Sequence, residues 1–394
     1  LGALLVPLVH KRLQPFAVVV LPVIGFAQLL MMEPGVSHQL SLFDYELTPV
    51  RVDKLSLVWG YIFHLAAFLT ALYSLHVKDR GQHTSAFVYV GAAVGGVFAG
   101  DLVTLFVYWE LTAVASVFLV WASRTEASYR SGMRYLVIQV GSGVLLLAGV
   151  VVHASATGSI AFEKLIGDDG LLSTASPGVV LIFLAFGVKS AFPFLHNWLQ
   201  DAYPEATVTG AVFLSAFTTK MALYALARGF PGTEALVYIG ALMTCFPIFY
   251  AVIENDLRRV LAYSLINQLG FMVCGVGIGT ALAINGAVSH AFNDVIFKGL
   301  LFMSMGAVLH MTGRIKGSEL GGLYKTMPIT ATLCIVGACS ISAFPLFSGF
   351  VSKSMVMAAA LEQGYDWIWL ALLFASAGVF HHAGIKIPFF AFFA

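Results

Sequence analysis

Runs of about twenty apolar residues recur from one end of this sequence to the other, and no other feature constrains the fold as tightly. A bilayer core about 30 Å thick is crossed by about 20 residues of helix, so each run reads as one span. About thirteen candidates emerge, near 1–9 (a stub), 14–32, 54–77, 83–99, 101–122, 134–155, 178–199, 206–228, 234–253, 259–280, 285–311, 327–349 and 366–390. Composition agrees: 59% of residues are hydrophobic and 10% charged, against roughly 25% charged in a soluble domain. The expected fold class is all-α, a polytopic transmembrane helix bundle.

Residues 1–394 read as a single transmembrane domain, because the connections between runs are short. The longest, near 33–53 and 156–177, carry the acids, glycines and serines of surface loops. A formal net charge of +1 and the lack of a basic stripe exclude a nucleic-acid partner, so lipid is the expected surround. The chain opens at Leu1 without a methionine and closes on the apolar run Pro388 to Ala394, so it is expected to be a fragment truncated at both ends. Cys245, Cys274, Cys334 and Cys339 lie in apolar runs and are expected to be small buried hydrophobes.

Cytoplasmic loops collect Lys and Arg. Odd-numbered loops hold Lys11, Arg12, Lys78, Arg80, Arg124, Arg130, Arg134, Arg258, Arg259, Arg314, Lys316 and Lys325, and even-numbered loops only Arg51, Lys54, Lys164 and Arg228. This roughly threefold bias supports the span count and places the start of the first stub on the non-cytoplasmic side.

A charge at mid-membrane costs at least about 2.5–3.5 kcal/mol, so it persists only where it is paired, hydrated or useful. Glu110 sits in the middle of LVTLFVYWELTAVASVFLVW. Lys189 lies in VVLIFLAFGVKSAFPFLHNWLQ, four residues before Pro193, whose missing amide hydrogen leaves a helical carbonyl without its donor. A broken turn is therefore expected there, tolerated only where protein or water satisfies it. Lys220 is central in VFLSAFTTKMALYALARG. His290, Asp294 and Lys298 follow at four-residue steps, along one helical face over about 12 Å, as a proton wire or a packed polar seam would. Lys353 follows a second interruption, ISAFPLFSGFVSK, where Pro345 and Gly349 break an apolar segment. The tetrapeptide SAFP occurs in both places, as in transporters built from inverted repeats with paired discontinuous helices. The repeats are expected at 83–228 and, incomplete, at 234–394. Lys386 is another near-membrane lysine, with no role assigned from its context.

No GxGxxG, P-loop, HExxH or CxxC motif is present, nor any flavin, iron-sulfur or quinone signature, so no cofactor and no metal is expected. The glycines of GGVFAG around Gly95 read as small residues for close helix packing. Haem ligation needs axial ligands on facing helices, and His381 and His382, adjacent in sequence, point to different faces.

The motifs WEL (Trp109 to Leu111), GVKSAFPFLHNWLQDAY (Gly187 to Tyr203), ENDLRRVLAYSLINQLG (Glu254 to Gly270), HAFNDVIFKGLLFMSMG (His290 to Gly306) and FPLFSGFVSK (Phe344 to Lys353) resemble, in order, the antiporter-like subunit family. That family comprises the large subunits of Mrp-type multi-subunit cation/proton antiporters and the homologous proton-pumping subunits of respiratory complex I. The resemblance implies that Glu110 is the essential glutamate of the fifth span and Lys189 its partner on the discontinuous seventh. It likewise implies that Lys220 is the central lysine of the eighth span, His290 and Lys298 belong to a polar axis, and Lys353 is the lysine of the second discontinuous helix. Asp294 departs from members that carry histidine there. The stretches LTPVRVDKLSLVWG and KIPFFAFFA look more like the D-type antiporter component.

The resulting expectation is a proton-conducting subunit of a multi-subunit Na+/H+ antiporter, with protons moving through Glu110, Lys189, Lys220, His290, Asp294, Lys298 and Lys353. Its expected partners are other membrane subunits of the same complex, protons with or without sodium ions, and lipid, in a bacterial inner (cell) membrane. A transporter is preferred over an enzyme. The rivals are a proton-pumping membrane subunit of an NADH:quinone oxidoreductase and a non-conducting membrane scaffold.

Overall fold

Several helices in this chain begin where a short polar side chain accepts a hydrogen bond from a first-turn amide. The computed structural model describes residues 2–10, 13–42 and 45–394. Lys11 and Arg12, counted above among loop cations, lie outside the described residues. A single turn α1 (Gly2–Leu5) and a 3-10 turn precede α2 (Gln14–Leu30). Two antiparallel strands follow, β1 (Gly35–Leu42) and β2 (Tyr45–Val52). The helices are then α3 (Lys54–Tyr73), α4 (Arg80–Phe98), α5 (Leu102–Trp121), α6 (Glu126–Thr157), α7 (Pro177–Lys189), α8 (Asn197–Ala202), α9 (Val208–Ala216), α10 (Thr218–Gly229) and α11 (Glu234–Ile253). Next come α12 (Leu257–Ile278), α13 (Ala281–Thr312), α14 (Pro328–Ile341), α15 (Ser348–Glu362) and α16 (Asp366–Val379), the last continuing as π-helical turns over Phe380–Lys386 and Phe389–Phe393. Asp53, Asp101, Thr125, Asp256 and Thr280 cap α3, α5, α6, α12 and α13. Gly158, Gly279 and Gly313 end α6, α12 and α13 in the left-handed conformation that glycine adopts without strain.

Among the described residues, eight helical stretches are long and apolar enough to cross a membrane: α3, α5, α6, Val208–Gly229, α11, α12, α13 and Asp366–Phe393. Three shorter apolar helices accompany them, α2, α7 and α14, and two of these are the leading halves of broken helices. The protein is an integral membrane protein, and lone apolar stripes such as Val137, Val144 and Val151 on α6 stay exposed as lipid contact requires.

The helices group into two units, one formed by the chain up to Ser190 with Glu205–Phe230, the other by Ala191–Pro204 with Pro231–Ala394. In the first, α6 and α7 cross at glycines. A Cβ on Gly149 would lie 2.8 Å from the Gly178 carbonyl, and one on Gly178 2.6 Å from the His153 amide nitrogen. In the second, α11 and α12 cross in the same way at Gly240 and Gly270. The glycines of α4 meet bulk instead, with Gly95 against the Tyr108 ring and Gly96 against Met221.

Three segments differ from the sequence expectation. The stretch 33–53, read as a loop, contains two antiparallel paired strands, Gly35–Leu42 and Tyr45–Val52, whose register shifts between Val36 and His38 and between His38 and Leu40. It is stitched to its unit by the Thr48 amide on Asp101 (2.7 Å), the Gly100 amide on the Thr48 carbonyl (2.9 Å) and Arg51 on the Phe162 carbonyl (2.7 Å). The run 206–228 is two helices, because Phe217 (φ −110°, ψ −57°) interrupts it without any proline or glycine to announce the break. The run ending at 349 breaks after Ile341, as Pro345 and Gly349 led one to expect, but its second half, α15, extends past the run to Glu362. Arg258, counted among loop cations, is buried and donates to the Pro204 carbonyl (2.8 Å).

Candidate functional site

The two SAFP tetrapeptides adopt the same backbone. Ala191 and Ala343 have φ of 60° and 57°, and the residues after each proline, Phe194 and Leu346, have φ of 68° and 75°. Non-glycine residues in this region are strained, so a fourfold occurrence at matched positions marks one turn used twice. The prolines remove amide donors, and the helices stop at Lys189 and Ile341, the residues that immediately precede each tetrapeptide. At the second break the Gly349 backbone presses on the Ser340 carbonyl so closely that a Cβ would overlap it.

In the first unit Lys189 is fully buried. Its ammonium donates to the Trp109 carbonyl (2.7 Å) and the Thr112 hydroxyl (2.8 Å) and sits 4.3 Å from the centroid of the Trp109 ring. The direct lysine–carboxylate contact that the sequence suggests is absent: Glu110 attracts Lys189 electrostatically but shares no hydrogen bond with it. Glu110 packs instead against Gly143 of α6, where no Cβ would fit beside the carboxylate, and its Oε1 has no protein partner. One turn earlier on α6, the buried Gln139 amide also lacks partners at both atoms. Ser142 ties the three helices together, accepting from the Trp109 indole (3.0 Å) and donating to the Ala185 carbonyl (2.8 Å). Lys220 lies just past the Phe217 break and donates back to the Ser215 carbonyl (3.0 Å), while its own carbonyl accepts from the Trp59 indole (2.9 Å).

In the second unit the four-residue stripe on α13 is buried throughout: His290, Asp294 and Lys298 are each 0% exposed. His290 meets the Ser352 hydroxyl of α15 (2.8 Å) through Nδ1 and the Gln268 side-chain oxygen of α12 (3.1 Å) through Nε2. Gln268 donates to Asn267, and Asn267 to the Thr244 carbonyl, so a continuous hydrogen-bonded chain joins α11, α12, α13 and α15. Because the Gln268 side-chain oxygen can only accept, Nε2 carries a hydrogen. Lys298 donates to Ser264 (2.7 Å). Lys353 donates to the Ile341 carbonyl (2.8 Å), the open end of α14, lies 5.0 Å from the Phe271 ring centroid and is attracted by Asp294. A cation at a helix C-terminus is favoured by the helix dipole. Beside the other break, a cavity of about 430 Å³ is lined by Pro193, Phe194, His196, Gln200, Phe246 and Tyr263.

Two of the four buried lysines, Lys220 and Lys353, therefore donate to backbone carbonyls at or near helix interruptions, and Lys189, itself the last residue before one, donates to the mid-helix Trp109 carbonyl. Lys386 also donates to backbone carbonyls, those of Ala251 and Val252 at the C-terminal end of α11. Sequence reading found the charged members and missed the neutral ones, Gln139, Ser142, Thr112, Ser264, Gln268 and Ser352. Ser264 and Gln268 stand four residues apart inside an apolar helix, the same signal that picked out the α13 stripe.

The sequence and the fold have counterparts among known proteins. A family model described as NADH:quinone oxidoreductase/Mrp antiporter, TM, matches residues 99–379. The chain is 32% identical over 330 residues to the A/B component of a probable K(+)/H(+) antiporter from Rhizobium meliloti, covering 79% of this chain and 33% of that protein. It is 32% identical over 320 residues to the D component of the Na(+)/H(+) antiporter from Alkalihalophilus pseudofirmus, covering 78% of this chain and 64% of that one. The chain thus spans less than two thirds of the length of these relatives. Its fold matches a chain of the Mrp complex from Dietzia sp. with a TM-score of 0.90 at 22% identity, over 100% of this chain and 78% of that chain.

Proposed function

Since this chain belongs to the NADH:quinone oxidoreductase/Mrp antiporter transmembrane family, we propose that it is a proton-conducting subunit of a multi-subunit Na+/H+ antiporter. Protons pass along Glu110, Lys189, Lys220, His290, Asp294, Lys298 and Lys353. The observation that carries this reading is the burial of lysines on backbone carbonyls with no contact carboxylate beside Lys189. A lysine neutralised by a fixed ion pair is locked in one protonation state, whereas one held by neutral oxygens can lose its proton when a nearby charge moves. At a separation of ~4 Å and an effective dielectric of about 20, a charge pair is worth about 4 kcal/mol, or about three pKa units. Swinging the Glu110 carboxylate toward or away from Lys189 is thus sufficient to load and release it. The unpartnered Glu110 and Gln139 atoms require water, which supplies the connecting links.

The matched SAFP turns support two repeats, at 83–228 and 234–394, each with one broken helix. Membership in a larger assembly is supported by the relatives, which are named as subunits. The D-type assignment rests on LTPVRVDKLSLVWG and KIPFFAFFA, since identity to the A/B and D components is equal at 32%. The host membrane is assigned as a bacterial cell membrane, after these relatives.

The second reading, a proton-pumping subunit of an NADH:quinone oxidoreductase, is favoured by the family description itself. Sodium-dependent proton movement by the purified complex separates the two, because the redox-driven subunit moves protons only with electron transfer. Proton flux in vesicles is the test of the axis. Glu110→Gln and Lys189→Ala, assembled with their partners, are expected to lose most of it, and near-normal flux in both ends the proposal.

A further inference from the structure

Sharp helix bends arise at proline, at glycine or serine pairs, at π-bulges, or where an outside group enters the hydrogen-bond ladder. The segment FLSAFTTK, Phe213 to Lys220, holds no proline, glycine or serine pair, and the helix is α-helical on both sides of Phe217. The outside group is the hydroxyl of Tyr89, a fully buried residue of α4. In a continuous helix the Thr218 amide would bond the Leu214 carbonyl. It donates instead to the Tyr89 hydroxyl (2.8 Å), which also contacts the Thr218 hydroxyl. The Tyr89 ring stands edge-on to the Phe217 ring with centroids 5.6 Å apart, and Phe63 of α3 packs on the same ring at 5.0 Å.

A continuous helix would also direct the Ser215 carbonyl to the Thr219 amide. Here that carbonyl accepts from the Lys220 ammonium (3.0 Å). The Thr219 side chain records the same displacement. Other helical threonines of this chain donate to the carbonyl four residues earlier, as Thr70, Thr84 and Thr157 do to Ala66, Arg80 and His153. Thr219, for which that carbonyl is Ser215, is fully buried with its hydroxyl unbonded. We propose that Tyr89 is a positioning residue for Lys220: its hydroxyl holds the helix open at Phe217 and so reserves the Ser215 carbonyl for the lysine ammonium. Without the hydroxyl, the Thr218 amide returns to Leu214, the Ser215 carbonyl realigns toward the Thr219 amide, and Lys220 loses an acceptor. Trp59 steadies the far side of the break from α3, its indole donating to the Lys220 carbonyl (2.9 Å). Lys220 carries protons only under the proton-conducting reading above, on which this role of Tyr89 rests.

The test uses the full-length protein together with its partner subunits, reconstituted in vesicles. Tyr89→Phe keeps the buried ring and deletes the hydroxyl. It is expected to lower proton flux about fivefold or more, and normal flux overturns the proposal. Thr218→Pro added to Tyr89→Phe restores the break by other means, since proline has no amide hydrogen and Thr218 is the first residue of α10, where proline is tolerated. The proline ring occupies space that the hydroxyl has left. The double variant is expected to regain at least about half of the parent flux, whereas a merely structural Tyr89 makes it worse than the single variant. Where flux does not recover, the structure of the Tyr89→Phe complex decides: a Ser215 carbonyl on the Thr219 amide upholds the proposal, and an unchanged break at Phe217 overturns it. Should Tyr89→Phe itself fail to assemble, recovery of assembly in the double variant upholds the proposal and failure of both overturns it. Normal flux in Lys220→Ala shows instead that the axis does not use this lysine, which separates failure of the proposed function from failure of the role of Tyr89.

Discussion

Glu110 owes its freedom to what faces it. Gly143 leaves room for the carboxylate, and a methyl group there occupies the same space. Gly143→Ala is therefore expected to displace Glu110 and reduce proton flux, with an overpacking cost of about 1–3 kcal/mol. Unchanged flux in vesicles shows that the carboxylate's present position is irrelevant. At the other site, Gln268→Leu removes the acceptor of His290 and the donor to Asn267 together. The loss is expected to be about 1–3 kcal/mol, read as a lower melting temperature in detergent alongside impaired flux. At this scale the charged members of the site were legible because a buried charge is expensive and hence rare. Gln139, Ser142 and Gln268 escaped notice because a neutral polar side chain costs little in a helix, so its presence signals less.

Among the elements, the broken helices carry the clearest consequences. Gly349→Ala places a Cβ on the Ser340 carbonyl, so α14 and α15 must separate and Lys353 must leave the Ile341 carbonyl. Reduced assembly or flux is expected, and a variant as stable and active as the parent rules out a role for this close approach. The hairpin end offers a pH-dependent contact. Asp53 caps α3 through Ser56 and receives two hydrogen bonds from Arg228 of α10, at 2.7 and 2.9 Å. Burial alone pushes the Asp53 carboxyl up, but the Ser56 amide, Arg228 and Arg51 outweigh it and hold the carboxyl below its usual range. A depressed carboxylate stabilises the fold above its unfolded pKa and loses that contribution as pH falls through the folded value. Acid stability is thus expected to drop below the normal aspartate range, and Asp53→Asn should flatten that limb of a melting-temperature profile. An unchanged profile shows that the cap and ion pair do not matter. The breaks at Pro193 and Pro345 were readable because proline lacks a donor. The break at Phe217 was not, since the sequence FTTK contains nothing that forbids a helix, and only the Thr218 amide donating to the Tyr89 hydroxyl and the Trp59 indole donating to the Lys220 carbonyl show how the bend is held.

For the whole molecule, the proposed proton axis, taken as one series path, makes a kinetic prediction. Lys189→Ala and Lys298→Ala each interrupt one link, so the double variant should conduct no less than the worse single one, whereas independent routes give additive losses. Proton flux of the three assembled complexes decides between them. What the sequence determined by itself was the membrane, the helical class and the identity of the charged residues. Each follows from one-dimensional cost: twenty apolar residues have no other stable setting, and an ionisable group among them is conspicuous. What only the tertiary structure decided was who satisfies those charges. Trp109 lends a carbonyl to Lys189 across 80 positions of sequence, and Ser352 reaches His290 across 62. Hydrogen-bond partners are chosen by which helix faces cross, and that is set by glycine contacts and broken turns acting at a distance along the chain, where no local pattern of residues records the outcome.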